Sequence, residues 1–467
     1  MTGQQYIRLS ESHGQSISPA LSNRDVDLRE YLRGLRFTEL PIEIVEKARF
    51  CLIDLIATSV AGSDTPLAAI ITQYAQDFHG MVRSTAACQP LLGGPRMSAV
   101  GAALVGGMII DSVDSHDGHS LTKGHVGCAV LPALVAVLES RPGQFSGADF
   151  MALLVAGYEI GTRAGIALHA SAAEYHSSGA WNAITCAALT AHLLDLDDDP
   201  FRHALGIAEY HGPRSQLMRD VDYPTMVKDG SGWGAMAGVS AGYLAAKGFT
   251  GAPAVSVVSD QLDSIWADLG SRWRILEQYA KPYPVCRWAH PAIDAVIELR
   301  AAHEFRTEDV DEIVVHTFHE ATRLFQGVPE TTDQAQYATA FPTAVAVLHG
   351  AVLPEHISDA ALGNKAARDM TGRIRFIEDP VFSRLFPERR FARTEIRLRD
   401  GQVLNSSPRE PRGNPGDPLS QDELIDKFLR YTARYWSEDK SRTCLNLLLR
   451  FGENGTQVAD LLNVLRK

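Results

Sequence analysis

From about Arg24 to Gly251, apolar residues recur every three or four positions, the spacing of helices rather than strands. Pro41 opens one such segment. Ile44, Ala48, Cys51, Leu52 and Leu55 repeat along it until Gly62 ends it. Residues 97–110 and 126–139 are rich in Ala, Val and Gly and apolar around nearly their whole circumference. A helix without a polar face belongs inside a bundle, not on its surface. Segments 147–168, 179–195, 198–211 and 232–247 follow, each punctuated by Gly, Pro or Asp, with Ser146 placed to cap the first of them.

After Arg272 the pattern changes. Residues 313–318 (IVVHTF), 374–377 (IRFI) and 394–399 (TEIRLR) read as strands, and Asp400-Gly401 supplies a hairpin turn into Gln402, Val403 and Leu404. Helices over 291–303 and 338–349 lie among them. PRGNPGDPLS is a Pro/Gly linker, and Ser420 with Glu423 forms a capping box that starts another helix. The pattern predicts a mostly α protein. A large all-α domain spans 24–271, and residues 413–467 return to it. A smaller α+β domain, 272–412, is inserted between, and residues 1–23 form an N-terminal arm.

Composition narrows the partners. A chain of 467 residues exceeds one ordinary core, which agrees with two domains. The net charge of −12, with no basic stripe, argues against nucleic acid or an anionic membrane as partner. No stretch reaches the roughly 20 apolar residues of a membrane span. The polar start MTGQQYIRLSESHGQS lacks an apolar secretion core. The cysteines at 51, 88, 128, 186, 286 and 444 form no CxxC pair and read as reduced thiols, so a cytoplasmic location is expected. LLGGPRMSAVG has glycines but no strand–turn–helix pattern for phosphate.

Residues 111–125, DSVDSHDGHSLTKGH, pack three Asp and three His into fifteen positions and run directly into the apolar VGCAVLPALVAVLE. Capping in a solvated loop is the plain alternative. Acids and bases at this density beside a buried helix point instead to the wall of an active site. Composition alone leaves open a metal-dependent hydrolase, although DxHDxH matches no established ligand spacing. Four other segments carry chemistry. GYEIGTRAG sets Arg163 on an apolar helix, where an Arg is usually ion-paired. EYHSSGAWNA sets His176 before a small-residue helix start, whose free N–H groups favour anions. PTMVKDGSGWGAMAG sets Lys228 beside glycines. KPYPVCRWAHPAID gathers Lys281, Tyr283, Cys286, Arg287 and His290 in one turn. Tyr283 and Trp288 read as packing, and no nucleophile pattern surrounds Cys286.

In this order the segments resemble the MmgE/PrpD family. Asp114-Ser115-His116-Asp117-Gly118-His119, then His125 and AVLPAL, match its Asp/His loop. GYEIGTR, YHSSGAWNA, Thr225-Met226-Val227-Lys228, KPYPVCRWAH and PRGNPGDPLSQDELIDKF match its later motifs. The resemblance covers about Leu40 to Phe428. It implies a helical domain with an inserted α+β lid, a site between the two, a homodimer, and no metal or cofactor. It implies catalytic roles for Asp114, His125, His176, Lys228 and His290, with His290 reaching in from the lid. Substrate contacts are expected from His116, Asp117, His119, Arg163, Lys281 and Arg287. The activity implied is a cofactor-free lyase, most simply a dehydratase, that moves a proton next to a carboxylate of a small substrate. An epimerase, isomerase or decarboxylase on the same scaffold is the alternative. His116 stands where the family usually has Asp, Gly118 where it has Thr or Ser, and Asp-Gly-Ser-Gly-Trp follows Lys228. These departures point away from methylcitrate and cis-aconitate as substrates.

Overall fold

Helix starts in this chain are written in side chains that replace missing backbone partners. Ser98 accepts from the Gly101 N–H, Ser146 from the Asp149 N–H, and Ser420 exchanges bonds with Glu423 in a capping box. The computed structural model describes residues 22–81, 86–141, 143–453 and 455–467; residues 1–21 of the expected arm lie outside them. The first part is helical: α1 (Arg24–Gly34), α2 (Ile42–Gly62), α3 (Pro66–His79), α4 (Ala99–Asp111), α5 (Gly127–Glu139), α6 (Gly147–Ser171), α7 (Gly179–Leu193), α8 (Asp198–His211) and α9 (Ser231–Ala245). The sequence placed most of these within two or three residues.

Their apolar faces merge into one core. Helix α6 is long and apolar enough to cross a membrane, yet 94% of its apolar window is buried inside the protein. A helix at the centre of a bundle needs no polar face. Helix α9 packs backbone against backbone on its neighbours. A Cβ at Gly107 of α4 would lie 2.5 Å from Gly232, and one at Gly179 would lie 2.3 Å from the Gly230 carbonyl. The glycines after Lys228 therefore serve close packing.

The second part holds α10 (His290–Ala302), α11 (Ala340–His349) and a four-stranded sheet. A two-residue ladder, β1 (Gly118–His119) against β2 (Gln278–Tyr279), precedes it and ties the Asp/His loop to the segment entering this part. The sheet comprises β3 (Val310–Thr317), β4 (Ile374–Glu378), β5 (Ala392–Leu398) and β6 (Val403–Asn405) in the order β4-β3-β5-β6. Strands β3 and β4 are parallel and the other pairs antiparallel. Gly401, at φ 95°, makes the β5–β6 turn as expected. A separate core forms around Val285, Ile293, Ile313, Phe341 and Ile396, and it also takes Leu217 and Val221 from before residue 272. The C-terminal helices α12 (Gln421–Thr432), α13 (Glu438–Leu448) and α14 (Val458–Arg466) pack back into the first core through Phe428, Leu448 and Leu461.

Candidate active site

The loop after α4 is held from three sides. Lys427 of α12 donates to Asp54 Oδ1 at 2.5 Å, to the Ser115 carbonyl at 2.7 Å and to the Lys281 carbonyl at 2.8 Å. Ser115 Oγ bonds the Tyr431 hydroxyl at 2.7 Å, and the Tyr158 hydroxyl donates to Asp117. Pinned in this way, Asp114 and Lys123 adopt φ of 46° and 51°, left-handed conformations that non-glycine residues enter only when their surroundings dictate it.

These restraints build a small cavity where the two cores meet. Asp114, His125 and Asp229 line it from the helical side. Lys281, Arg287 and Arg390 line it from the other, and Tyr175, Tyr279, Cys286 and Tyr337 are among the rest of its wall. Its volume is about 30 Å3, room for only a water or two. Larger clefts lie elsewhere, one of about 610 Å3 beside Lys228 and Trp233. This cavity is the one that carries the matched-motif residues Asp114, His125, Lys281 and Arg287.

His125 is the base. Its backbone N–H donates to Ser178 Oγ at 3.0 Å and its carbonyl accepts from Asn182 at 2.8 Å, so the first turn of α7 fixes it. Its Nδ1 meets the Asp117 carbonyl, an acceptor only, so Nδ1 carries the proton and Nε2 is left bare. Nε2 lies 3.3 Å from Asp229 Oδ2. Burial, then His116 and Lys281, push the His125 pKa well below its ordinary value. Burial, then Asp111 and Asp114, push Asp229 well above its own. Both shifts favour one arrangement, a protonated Asp229 donating to a neutral His125.

Asp114 instead pairs with Lys281, which also donates to the Asp114 carbonyl at 3.0 Å. Burial disfavours the Lys281 ammonium, but Asp114 and its other neighbours outweigh this and raise its pKa. Burial pushes the Cys286 thiol up to about 12, which keeps it protonated and a poor nucleophile. A Cβ at Gly118 would sit 2.5 Å from the Tyr279 hydroxyl, so this chain fills with Tyr279 the space a larger residue at 118 would take.

Of the expected residues, Asp114, His125, Lys281 and Arg287 line the cavity. His116 lies one layer behind, its ring 4.3 Å from that of His125 and its Nε2 3.3 Å from Asp111. The others are placed elsewhere, and the geometry says why. Lys228 pairs with Asp333 at 2.7 Å and with Gln336, behind the Tyr337 ring. His290 is fully buried, bonded to the Val285 carbonyl at 3.1 Å and backed by Arg287. His176 bonds the Glu174 carbonyl at 2.9 Å and its N–H meets His169. His119 pairs with Glu277 at 2.9 Å, and burial lowers its pKa. Arg163 is spent on Glu159 and Asp268, each at 2.7 Å. Asp117, raised to about 6 by burial, works through its carbonyl and Tyr158.

Sequence reasoning missed Asp229, Tyr279, Tyr337 and Arg390. Asp229 had a signal, since it adjoins Lys228 in the matched motif. Arg390 had none. Asp111, His116 and Cys128 bring ligand atoms within 4.8 Å of one another, as do Asp114, His116 and His125. A cation in the second set would have to displace Lys281 from Asp114. The first set, with carboxylate, imidazole and thiol donors, has the composition of a zinc-type site.

Residues 26–261 match the MmgE/PrpD N-terminal domain and residues 283–450 its C-terminal domain. The chain is 22% identical to the cis-aconitate decarboxylase-like protein oryM of Aspergillus oryzae, over 94% of this chain and 96% of that protein. It is 22% identical to cis-aconitate decarboxylase of Aspergillus terreus, over 96% and 97%. The same identity holds for cis-aconitate decarboxylase of Homo sapiens, over 89% of each.

Proposed function

The chain belongs to the MmgE/PrpD family, and from that premise we propose that His125 and Asp229 move a proton next to a carboxylate of a small substrate. It is an enzyme of that family's dehydratase and decarboxylase type. The observation that carries the reading is His125 Nε2 3.3 Å from Asp229 Oδ2, facing a wall that contains Lys281, Arg287 and Arg390.

The substrate's carboxylate sits among the cations. His125 Nε2, released by Asp229, takes the proton from the neighbouring carbon. The electron pair spreads onto the carboxylate, and Lys281 holds the developing oxyanion in a site that excludes water. In a dehydratase, the first reading, the protonated pair then delivers a proton to the departing hydroxyl. Decarboxylation is the second reading, favoured by the names of the relatives. There CO2 leaves first, Lys281 holds the resulting charge, and the pair supplies the proton that replaces it. An epimerase would return the proton to the opposite face.

A cavity of about 30 Å3 admits no such substrate, so the second part acts as a lid that opens for entry and closes for turnover. The protein works without metal or organic cofactor, in the cytoplasm, as a homodimer. The face that suits the dimer is that of α3, where Ile70, Tyr74 and Phe78 stand exposed at helical spacing beside Trp233.

The test incubates the protein in heavy water with hydroxy- and unsaturated di- and tricarboxylates, cis-aconitate included. A dehydratase yields an unsaturated, ultraviolet-absorbing product. A decarboxylase releases CO2 and places deuterium where it left. An epimerase labels the inverted product. Absence of all three with every acid tried refutes the reading.

A further inference from the structure

We propose that Arg390, together with Arg287, is the receptor for a second carboxylate of the substrate and so decides which acids are accepted; this rests on the reading above. The argument begins with how this protein treats buried cations. Arg29 pairs with Asp198, Arg163 with Glu159 and Asp268, Lys228 with Asp333, Arg274 with Asp268 and Glu277, Lys281 with Asp114, and Lys427 with Asp54. Arg287 and Arg390, each 3% exposed, are the two buried cations that form no ion pair with a carboxylate of the described residues. Both line the same cavity.

Arg287 is held by neutral acceptors, including His290 Nδ1 at 3.3 Å, whereas Arg390 is short of partners. The Nε of each is buried with no hydrogen-bond acceptor. Arg287 donates to the Ala280 and Pro411 carbonyls at 3.0 and 3.2 Å and to Asn414 at 2.8 Å. Arg390 has only long bonds, at 3.2 Å to Ser120 Oγ and 3.4 Å to the Ser120 carbonyl. Both pack against the Tyr279 ring, at 4.6 and 6.0 Å from its centre. An aromatic face offsets part of a cation's lost hydration, but not as a counter-ion does. A planar guanidinium with free donors suits a carboxylate held by two parallel bonds. A buried positive charge without its counter-charge costs stability. A fold retains it where a ligand supplies the anion.

Arg390 also bonds Ser120, next to the β1–β2 ladder, from the segment just before β5. It thus spans both sides of the cavity, and an anion bound to it joins the two halves. Arg390 is therefore a binding residue, and its loss should weaken binding more than chemistry.

The experiment compares wild type, Arg390→Gln and Arg390→Lys by calorimetric titration and thermal unfolding, with succinate and butyrate as probes of equal chain length. The expected wild type binds succinate at least tenfold more tightly than butyrate. Arg390→Gln, having shed an unpaired buried cation, melts no lower than wild type without ligand and loses the preference for succinate. Arg390→Lys keeps the charge but not the fork, and it recovers part of the preference. On the best polycarboxylate substrate, Arg390→Gln raises KM by about 10- to 100-fold with kcat within a few-fold. A normal succinate preference in Arg390→Gln overturns the proposal. So does a lower melting temperature without ligand and no change in preference, which would assign Arg390 to structure alone. If His125→Gln is inactive while Arg390→Gln discriminates as wild type does, only the second-carboxylate site falls. If wild type binds neither probe and turns over no polycarboxylate, the proposed function falls with it.

Discussion

Lys427 offers a way to separate what holds the site in place from what holds the protein together. Lys427 is 6% exposed, and its ammonium joins three pieces of chain: Asp54 of α2, Ser115 of the Asp/His loop, and Lys281 at the entrance to the second part. Replacing it with Met leaves Asp54 charged, fully buried and without a partner. Removing one member of such a pair costs about 3–5 kcal/mol. For a chain of 467 residues, at roughly 1 °C per kcal/mol, the melting temperature should fall by about 3–5 °C. The double variant Lys427→Met/Asp54→Leu replaces the pair with apolar groups, an exchange that is often neutral or stabilising, and most of the melting temperature should return. Activity should not return with it. The Ser115 and Lys281 carbonyls still lack their shared donor, and each adjoins a member of the Asp114–Lys281 pair or belongs to it. A displacement of about 1 Å in such a site can cost on the order of 100-fold in rate. The assay is kcat/KM measured beside thermal unfolding for wild type and both variants. A double variant that is both stable and fully active would refute the positioning role. A single variant destabilised by under about 1 kcal/mol would refute the burial of the pair.

Other expectations follow from the same geometry. Because burial holds the His125 pKa below 6.5, the acid limb of the kcat/KM profile should fall below pH 6.5; a limb at or above pH 7 would remove His125 as the base. A histidine with a lowered folded pKa lends stability that is present above its unfolded value and lost as pH falls below it, at about 1.4 kcal/mol per pH unit. The melting-temperature advantage of wild type over His125→Gln should therefore shrink between pH 7 and pH 5. Asp229→Asn should keep the fold and lose about 100- to 10,000-fold in kcat, the range of a positioned proton-transfer group; near wild-type turnover would exclude it. Lys228→Met should lower the melting temperature by several degrees by stranding Asp333, read by calorimetry. Gly179→Ala should cost about 1–3 kcal/mol, because its methyl would meet the Gly230 carbonyl, and should lower activity by shifting Asp229.

The helical core was legible because a 3.6-residue period with glycine, proline and serine punctuation is local information. The strands were legible for the same reason. The site was legible where its residues share one loop, as Asp114 and His125 do. It was not legible where a turn decides which of two neighbours faces the cavity. Lys228 lies at φ 51°, and that left-handed turn sends its side chain to Asp333 and the next residue, Asp229, to His125. In KPYPVCRWAH, the short 3-10 turn Arg287–Ala289 leaves Cys286 and Arg287 on the cavity and turns His290 back to the Val285 carbonyl. Arg390 sits in ERRFART, which has no local signature. Its position comes from Ser120, 270 residues earlier in the chain.

The return of α12 to α2 also bears on how this chain is made. During synthesis the second part, whose core closes between Leu217 and Leu404, is complete before Lys427 leaves the ribosome. The first helices must wait, with Leu52 and Phe150 still lacking Phe428, Leu448 and Leu461. Domains that fold during translation generally do so from the N-terminus. Here the earliest-made helices finish last. A nascent chain stalled before residue 427 would expose an unclosed apolar face, and such a face recruits chaperones. Competence for catalysis would then arrive only once α12 has emerged, so no product truncated before it would carry activity.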